Sequence, residues 1–351
     1  MTELRALTSA RGIAAWCVVL YHIRLSIAGL PPAALAMLGK GYLAVDFFFL
    51  LSGFVIWLSW HDRLRLGGVR AVPRFLQKRI ARIWPLHLAM LAGALTLALL
   101  LAATGRTDPA FPFAELPLHV MLVQNWGFTD TLRWNDPAWS ISCELAAYLL
   151  FPLLAITVDL RRLATPALLA IAAAILLVLH LALRTQPTLG SDIAHTGLAR
   201  CIAEFAIGTV VAALWLRAPR NGVVAAVVVA TAALLGWWGG LPENATAPAA
   251  FAALLFVLAT VRTPWLEGRA IHALGEISYA TYLVHFLLWK TLQLIAVHHA
   301  GPVGPGIVLF YLALVLLASA CLYRLVERPA QRWLNARSFR PAPRRARPPA
   351  P

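Results

Sequence analysis

The sequence predicts an all-α integral membrane protein of about ten transmembrane helices with both termini in the cytoplasm. Composition, apolar run length and the distribution of positive charge carry that prediction. Of 351 residues, 60% are hydrophobic and 13% charged, against about 25% charged in an ordinary globular domain; the mean hydropathy is +0.74. Runs able to cross roughly 30 Å of hydrocarbon as helices fall at 8–28, 42–60, 84–104, 138–158, 166–183, 198–216, 222–239, 248–262, 273–294 and 304–323. With the N-terminus placed inside, 23 of the 30 Lys and Arg lie in inner segments, and Lys40, Arg106, Arg133 and Arg184 in outer loops. Arg24, Arg200 and Lys290 sit near outer helix ends, where long side chains snorkel. This asymmetry is the positive-inside pattern, so it accounts for the net charge of +15 without a nucleic-acid partner.

The stretch "FAELPLHVMLVQNW", residues 113–126, has an apolar core too short to span comfortably. It belongs to a long outer segment, 105–137, as a re-entrant or interfacial piece, because a crossing there would invert every later loop and spoil the charge sorting. The first apolar run is full length and has no evident cleavage site, so it is expected to remain as an anchor. Cys17, Cys143, Cys201 and Cys321 stand singly in apolar runs with no C-x-x-C spacing; they read as small core residues, and no redox or metal motif is found. The expected division is a membrane domain, 1–327, followed by a Pro/Arg-rich cytoplasmic tail, 328–351, too poor in apolar residues to build a core and suited to disorder against anionic lipid.

Ionisable groups inside hydrocarbon are costly and mark pathways or sites. "RGIAAWCVVLYH" places Arg11 and His22 eleven residues apart, on one helix face and roughly 16 Å apart along the axis. Asp46, early in the second run, can share the depth of His22, so the two can form a pair. A carboxylate beside an imidazole suits a general base, or it can simply hold two helices together. Gly53, seven residues on, allows another helix or a substrate to approach closely. Arg79 and Arg82 in "PRFLQKRIARIWP" share a face and can form a fork for phosphate oxygens, unless they are only topogenic charges. In "WNDPAWSISCELAAY", Trp139, Ser140, Ser142 and Glu144 enter the membrane from outside, with Ser140 and Glu144 on one face. The tryptophans there are either belt residues or, beside Asp and Asn, sugar-binding ones. Ser278, Tyr282 and His285 line one face of the ninth run at i, i+4 and i+7, as a structural or a functional network. Arg200 and Glu204, also i and i+4, read as a mutual ion pair.

The ordered motifs "RGIAAWCVVLYH", "GYLAVDFFFLLSGF", "KRIARIWPLH", "QNW", "PAWSISCE", "ISYATYLVH" and "YRLVERPAQRW" resemble those of the integral-membrane acyltransferase family 3, which includes bacterial polysaccharide O-acetyltransferases. The resemblance implies a multi-pass protein of the bacterial inner membrane that takes an acyl group from cytoplasmic acyl-CoA, most simply acetyl-CoA. It delivers that group to a carbohydrate hydroxyl, as an acyltransferase without a permanently bound cofactor. Arg11 and His22 match the family's Arg-x10-His motif, Asp46 its "VDxFFxxSG" acid, Arg79 and Arg82 its "RRxxRIxP" motif, and Glu144 its "WSLxxE" carboxylate. The expected roles are His22 and Asp46 in catalysis, Arg11, Arg79 and Arg82 on acyl-CoA, and Trp139, Ser142, Glu144, Ser278, Tyr282 and His285 in support or on the acceptor. The SGNH-type domain fused to some members is not expected here. The acceptor therefore stays open among polysaccharide precursors, glycolipids, Nod factors and macrolides. The expected partners are acyl-CoA, such an acceptor and the bilayer; a homo-oligomer is compatible with the sequence. The rival reading is a proton-coupled transporter or flippase that uses the buried His, Asp and Glu.

Overall fold

The computed structural model describes residues 4–217, 221–296 and 301–337. Among them the regular structure is helical, apart from an isolated bridge between Ile27 and Val303. In chain order the α-helices are α1 Arg5–Ile23, α2 Pro32–Leu38, α3 Ala44–Gly67, α4 Val72–Ala103, α5 Leu116–Met121, α6 Ala138–Thr157 and α7 Thr165–Ala182. They continue as α8 Ile193–Trp215, α9 Gly222–Trp238, α10 Glu243–Thr260, α11 Arg269–Glu276, α12 Ser278–Ala296, α13 Pro305–Leu322 and α14 Arg328–Ala336.

Seven stretches among the described residues are long and apolar enough to cross a membrane, and one of them, Pro32–Ala103, contains both α3 and α4. The helix α9 is short, and α12 carries Ser278, Tyr282, His285 and Lys290, which lower its apolarity. Each of the ten expected runs nevertheless falls on a helix. Helix α8 stands at the centre, with 67% of its span buried, whereas α7, with 11%, lies at the periphery.

In a bilayer the apolar effect does not drive helices together, so close contact depends on small residues. Gly53 of α3 lies against the backbone of Phe205, and Gly208 of α8 lies against Leu50. A Cβ at either position would collide with main chain of the other helix. The small residue noticed in the sequence thus admits α8 rather than a substrate.

Between α4 and α6 the described residues form no helix long enough to cross a membrane. After the short helix α5, Leu122 takes a left-handed conformation at φ 57, and the chain then leans on the start of α6. The backbone N–H of Asn125 donates to Ser142 Oγ at 3.2 Å, and Trp126 Nε1 donates to the Ser142 carbonyl at 2.8 Å. Trp134, also left-handed at φ 62, is held there by its backbone N–H on Ala110 O (2.8 Å) and its indole N–H on Pro112 O (3.1 Å). Such a conformation costs on the order of 1–3 kcal/mol and persists only where the surroundings over-determine it. Here it aims Asn135 and Asp136 into the bundle, and Asn135 Nδ2 donates to the Leu283 carbonyl at 2.9 Å.

The C-terminal boundary needs correction. Residues 328–336 are not an unstructured tail but the helix α14, which packs on α4 and accepts a hydrogen bond at the Leu334 carbonyl from Gln77 (2.7 Å). A π-helical turn, Tyr323–Glu327, joins it to α13 and buries Glu327. Proline at the start of a helix costs no hydrogen bond, so Pro329 opens α14 instead of ending the fold. The remainder of the expected tail, 338–351, lies outside the described residues.

Candidate active site

Helices α1 and α12 run side by side, and between them they set out the site. A Cβ on Gly12 would lie 2.6 Å from the backbone nitrogen of Gly275, so only glycine lets the end of α11 press so closely on α1. That contact brings the Gly275 carbonyl to Arg11, whose Nη2 donates to it at 2.9 Å. Arg11 Nε donates to Ser278 Oγ at 2.8 Å, and Ser278 donates to the same Gly275 carbonyl. The expected polar face of α12 therefore begins as the seat of Arg11.

Arg11 opens onto a cavity of about 160 Å³ whose lining includes Ser52, Arg79, Arg82, Glu144, Ser278 and Tyr282. The three arginines expected to act together do meet. Arg79 stands over the Tyr148 ring at 5.9 Å, and its Nε is buried without a hydrogen-bond partner among the described residues. Arg82 stands over Tyr279 at 5.3 Å and is ion-paired through Nη1 to Glu327. Glu144 accepts the hydroxyls of Ser52 (2.5 Å) and Tyr148 (2.6 Å). It belongs to this cavity and not to that of His22.

His22 lines a second cavity, of about 290 Å³, with Tyr21, Arg24, Asp136, Trp139, Arg200 and Tyr282 among its neighbours. Its ring packs on His285 (5.0 Å between centroids), Tyr21 (5.1 Å) and Phe286 (5.3 Å). Among the described residues no hydrogen bond holds the imidazole. Asp136, in the turn before α6, adds a carboxyl to this wall. Burial pushes it up to about 6, against the opposing pull of Lys290 and Arg133.

The expected pair of His22 and Asp46 is not formed. Asp46 Oδ1 accepts Nη2 and Nε of Arg200 at 2.7 and 3.2 Å. A third donor, Arg200 Nη1, reaches the Leu189 carbonyl, and the guanidinium also faces the Trp139 ring at 5.5 Å. The expected pairing of Arg200 with Glu204 gives way to this one. The buried Glu204 carboxyl faces that of Asp46 instead. Two fully buried charges need each other, because either alone would be uncompensated. Asp46 is therefore committed to joining α3 to α8, and sits behind the cavity rather than on the imidazole.

Of the other expected residues, Trp139 lines the His22 cavity, whereas Ser142 is buried as the acceptor for Asn125 and lines neither space. His285 sits beside His22 with Nδ1 3.2 Å from the Thr281 carbonyl. Tyr282 belongs to both cavities. Sequence reasoning missed Glu327, Ser52 and Tyr148, and noted Asp136 only as the aspartate beside the tryptophans. Tyr148 carried a signal, standing one turn after Glu144, and so did Glu327, a lone acid within a strongly basic segment.

Residues 4–324, nearly the whole chain, match the acyltransferase domain of family 3. The chain belongs to acyltransferase family 3. It is 30% identical to the acyltransferase MdmB of Streptomyces mycarofaciens, over 96% of this chain and 94% of that one. It is 27% identical to BcsY of Komagataeibacter xylinus, whose name describes a membrane-bound transacylase, over 92% of this chain and 82% of that one. No solved structure matches it. This acyltransferase is thus a multi-pass membrane enzyme of an acyl-transferring family, which sets aside the transporter reading of its buried His, Asp and Glu.

Proposed function

We propose that this acyltransferase moves an acetyl group from cytoplasmic acetyl-CoA to a hydroxyl of a carbohydrate-containing acceptor, working in the bacterial inner membrane with ten crossings and both termini inside. The observation that carries the reading is the placement of a three-arginine cavity against a histidine cavity. The arginine cavity has a volume of about 160 Å³. It suits the slender pantetheine arm of the donor, while the nucleotide stays at the mouth. Arg11, Arg79 and Arg82 supply planar forks for phosphate oxygens there, and the unpartnered Nε of Arg79 suits an anion that arrives with the ligand.

The acceptor enters the larger cavity. There Asp136 can accept sugar hydroxyls and the aromatic walls of Tyr21 and Trp139 can cover its apolar faces. His22 takes the proton of the acceptor hydroxyl as its oxygen attacks the thioester carbon. The carbon–sulfur bond then breaks, and the departing thiolate receives that proton back from the imidazolium. A positioned base of this kind contributes roughly 10²–10⁴ in rate. The test is to incubate the purified enzyme with isotopically labelled acetyl-CoA and candidate glycolipids, with mass spectrometry of the acceptors. An acetyl increment on a sugar hydroxyl is expected. Label that stays on CoA, with no affinity for CoA, overturns the reading.

A further inference from the structure

For the acyl group to pass between donor and acceptor, its carbonyl must sit where both cavities reach it. Among the described residues Tyr282 alone lines both the arginine cavity and the His22 cavity. We infer that Tyr282 is a catalytic residue whose phenolic O–H donates to the oxyanion formed on the thioester carbonyl; the inference rests on the proposed function.

The hydrogen-bond bookkeeping around Tyr282 favours this over a purely structural role. Its hydroxyl lies 2.7 Å from Ser140 Oγ. A serine hydroxyl has one proton to give, and that of Ser140 is directed to the Pro137 carbonyl at 3.1 Å. In the bond between the two hydroxyls Tyr282 is therefore the donor and Ser140 the acceptor. The other hydroxyls of the arginine cavity are committed more firmly. Those of Ser52 and Tyr148 donate to the Glu144 carboxylate, that of Tyr279 to the Ile83 carbonyl, and that of Ser278 to the Gly275 carbonyl while accepting from Arg11. Tyr282 gives its proton to a neutral hydroxyl, the weakest acceptor of the set, so redirecting it to a negatively charged oxygen is a net gain.

The ring is fixed for that task by Phe48 at 5.8 Å and His285 at 6.1 Å, leaving only the O–H torsion to change. The sequence of events is balanced. The acceptor oxygen bonds to the acyl carbon, its proton goes to His22, and the carbonyl electron pair moves onto oxygen, where the Tyr282 proton meets it. Collapse of the intermediate expels the CoA thiolate, which takes the proton from His22, and the Tyr282 O–H turns back to Ser140.

The test uses membrane vesicles that carry the full-length enzyme, with radiolabelled acetyl-CoA as donor and label in the lipid and glycan fractions as readout. Binding of CoA to the purified protein is measured in parallel. Tyr282→Phe keeps the ring and removes one oxyanion donor, so kcat falls by about 10²–10³, while the KM for acetyl-CoA and the affinity for CoA stay at the parent values. Ser140→Ala removes the resting acceptor but keeps the Tyr282 hydroxyl, so kcat falls far less than in Tyr282→Phe. Near-parental turnover in Tyr282→Phe overturns the inference, as does a loss of CoA affinity in that variant. A Ser140→Ala variant as slow as Tyr282→Phe also overturns it, since the bond between the two side chains would then be the feature that matters. A parent enzyme that neither binds CoA nor transfers label overturns the proposed function itself, and this inference with it.

Discussion

Guanidinium groups line both cavities of this acyltransferase, and their donors are spent differently. In the His22 cavity Arg200 gives three of its five N–H donors to Asp46 and the Leu189 carbonyl. Arg24 beside it is turned onto the carbonyl and ring of Tyr21. In the neighbouring cavity Arg11 and Arg82 are held from behind by Ser278, Gly275 and Glu327, and Arg79 keeps a buried N–H unspent. The first arrangement makes a neutral wall suited to a polyhydroxyl acceptor; the second makes a receptive surface for phosphate. The position of an arginine in a membrane protein therefore says less about its role than the count of donors it has left.

Four changes test that contrast, in falling order of effect. Asp46→Ala leaves Arg200 buried without its counter-ion, and the expected result is a loss of about 3–5 kcal/mol in stability, read as a collapse of the melting temperature in detergent. A variant that melts normally but has lost transfer would return Asp46 to the catalytic centre. His22→Ala is expected to fold and bind CoA like the parent while turnover drops roughly 10²–10⁴-fold, with no rescue at any donor concentration. Near-normal turnover would remove His22 from the chemistry.

Arg11→Ala removes charge-assisted hydrogen bonds worth about 1.5–3 kcal/mol. The apparent KM for acetyl-CoA should rise roughly 10- to 100-fold with kcat little changed, because binding common to ground and transition states is what is lost. Arg11→Lys recovers part of the deficit, since it keeps charge but not the planar fork. An unchanged KM with collapsed kcat would move Arg11 to the reacting atoms. The smallest effect is expected at Asp136. Its carboxyl, held up to about 6 by burial despite Lys290 and Arg133, keeps a proton that an unfolded chain has lost above about pH 4. Stability is therefore fully present below pH 4 and falls as pH rises through 6. Asp136→Asn should abolish that fall, about 1–2 kcal/mol once solvent on its open side is allowed for; a melting temperature that still drops between pH 4 and 7 would locate the titration elsewhere.

Features contained within one helix were readable from the sequence. The eleven-residue interval from Arg11 to His22, the i, i+4, i+7 row of Ser278, Tyr282 and His285, and the shared face of Arg79 and Arg82 all survive in the folded chain. The apolar runs located the long helices for a similar reason, since run length alone decides what can span hydrocarbon. Pairings between helices were not readable. Depth along two helix axes places His22 and Asp46 at one level, but which way each side chain points around its axis depends on packing. That packing turns Asp46 to an arginine 154 positions away. The helices α11 and α14 were missed because they are short and polar, too brief for a hydropathy signal.

The ion pair between Arg82 and Glu327 has a consequence for the timing of synthesis. Its partners are 245 residues apart, and a ribosome adding about 5–20 residues per second needs roughly 12 to 50 seconds to pass from one to the other. Throughout that interval Arg82 exists while its carboxylate does not. The arginine cavity is among the last features of the protein to be completed, because its Glu327 brace follows every other part of it in the chain.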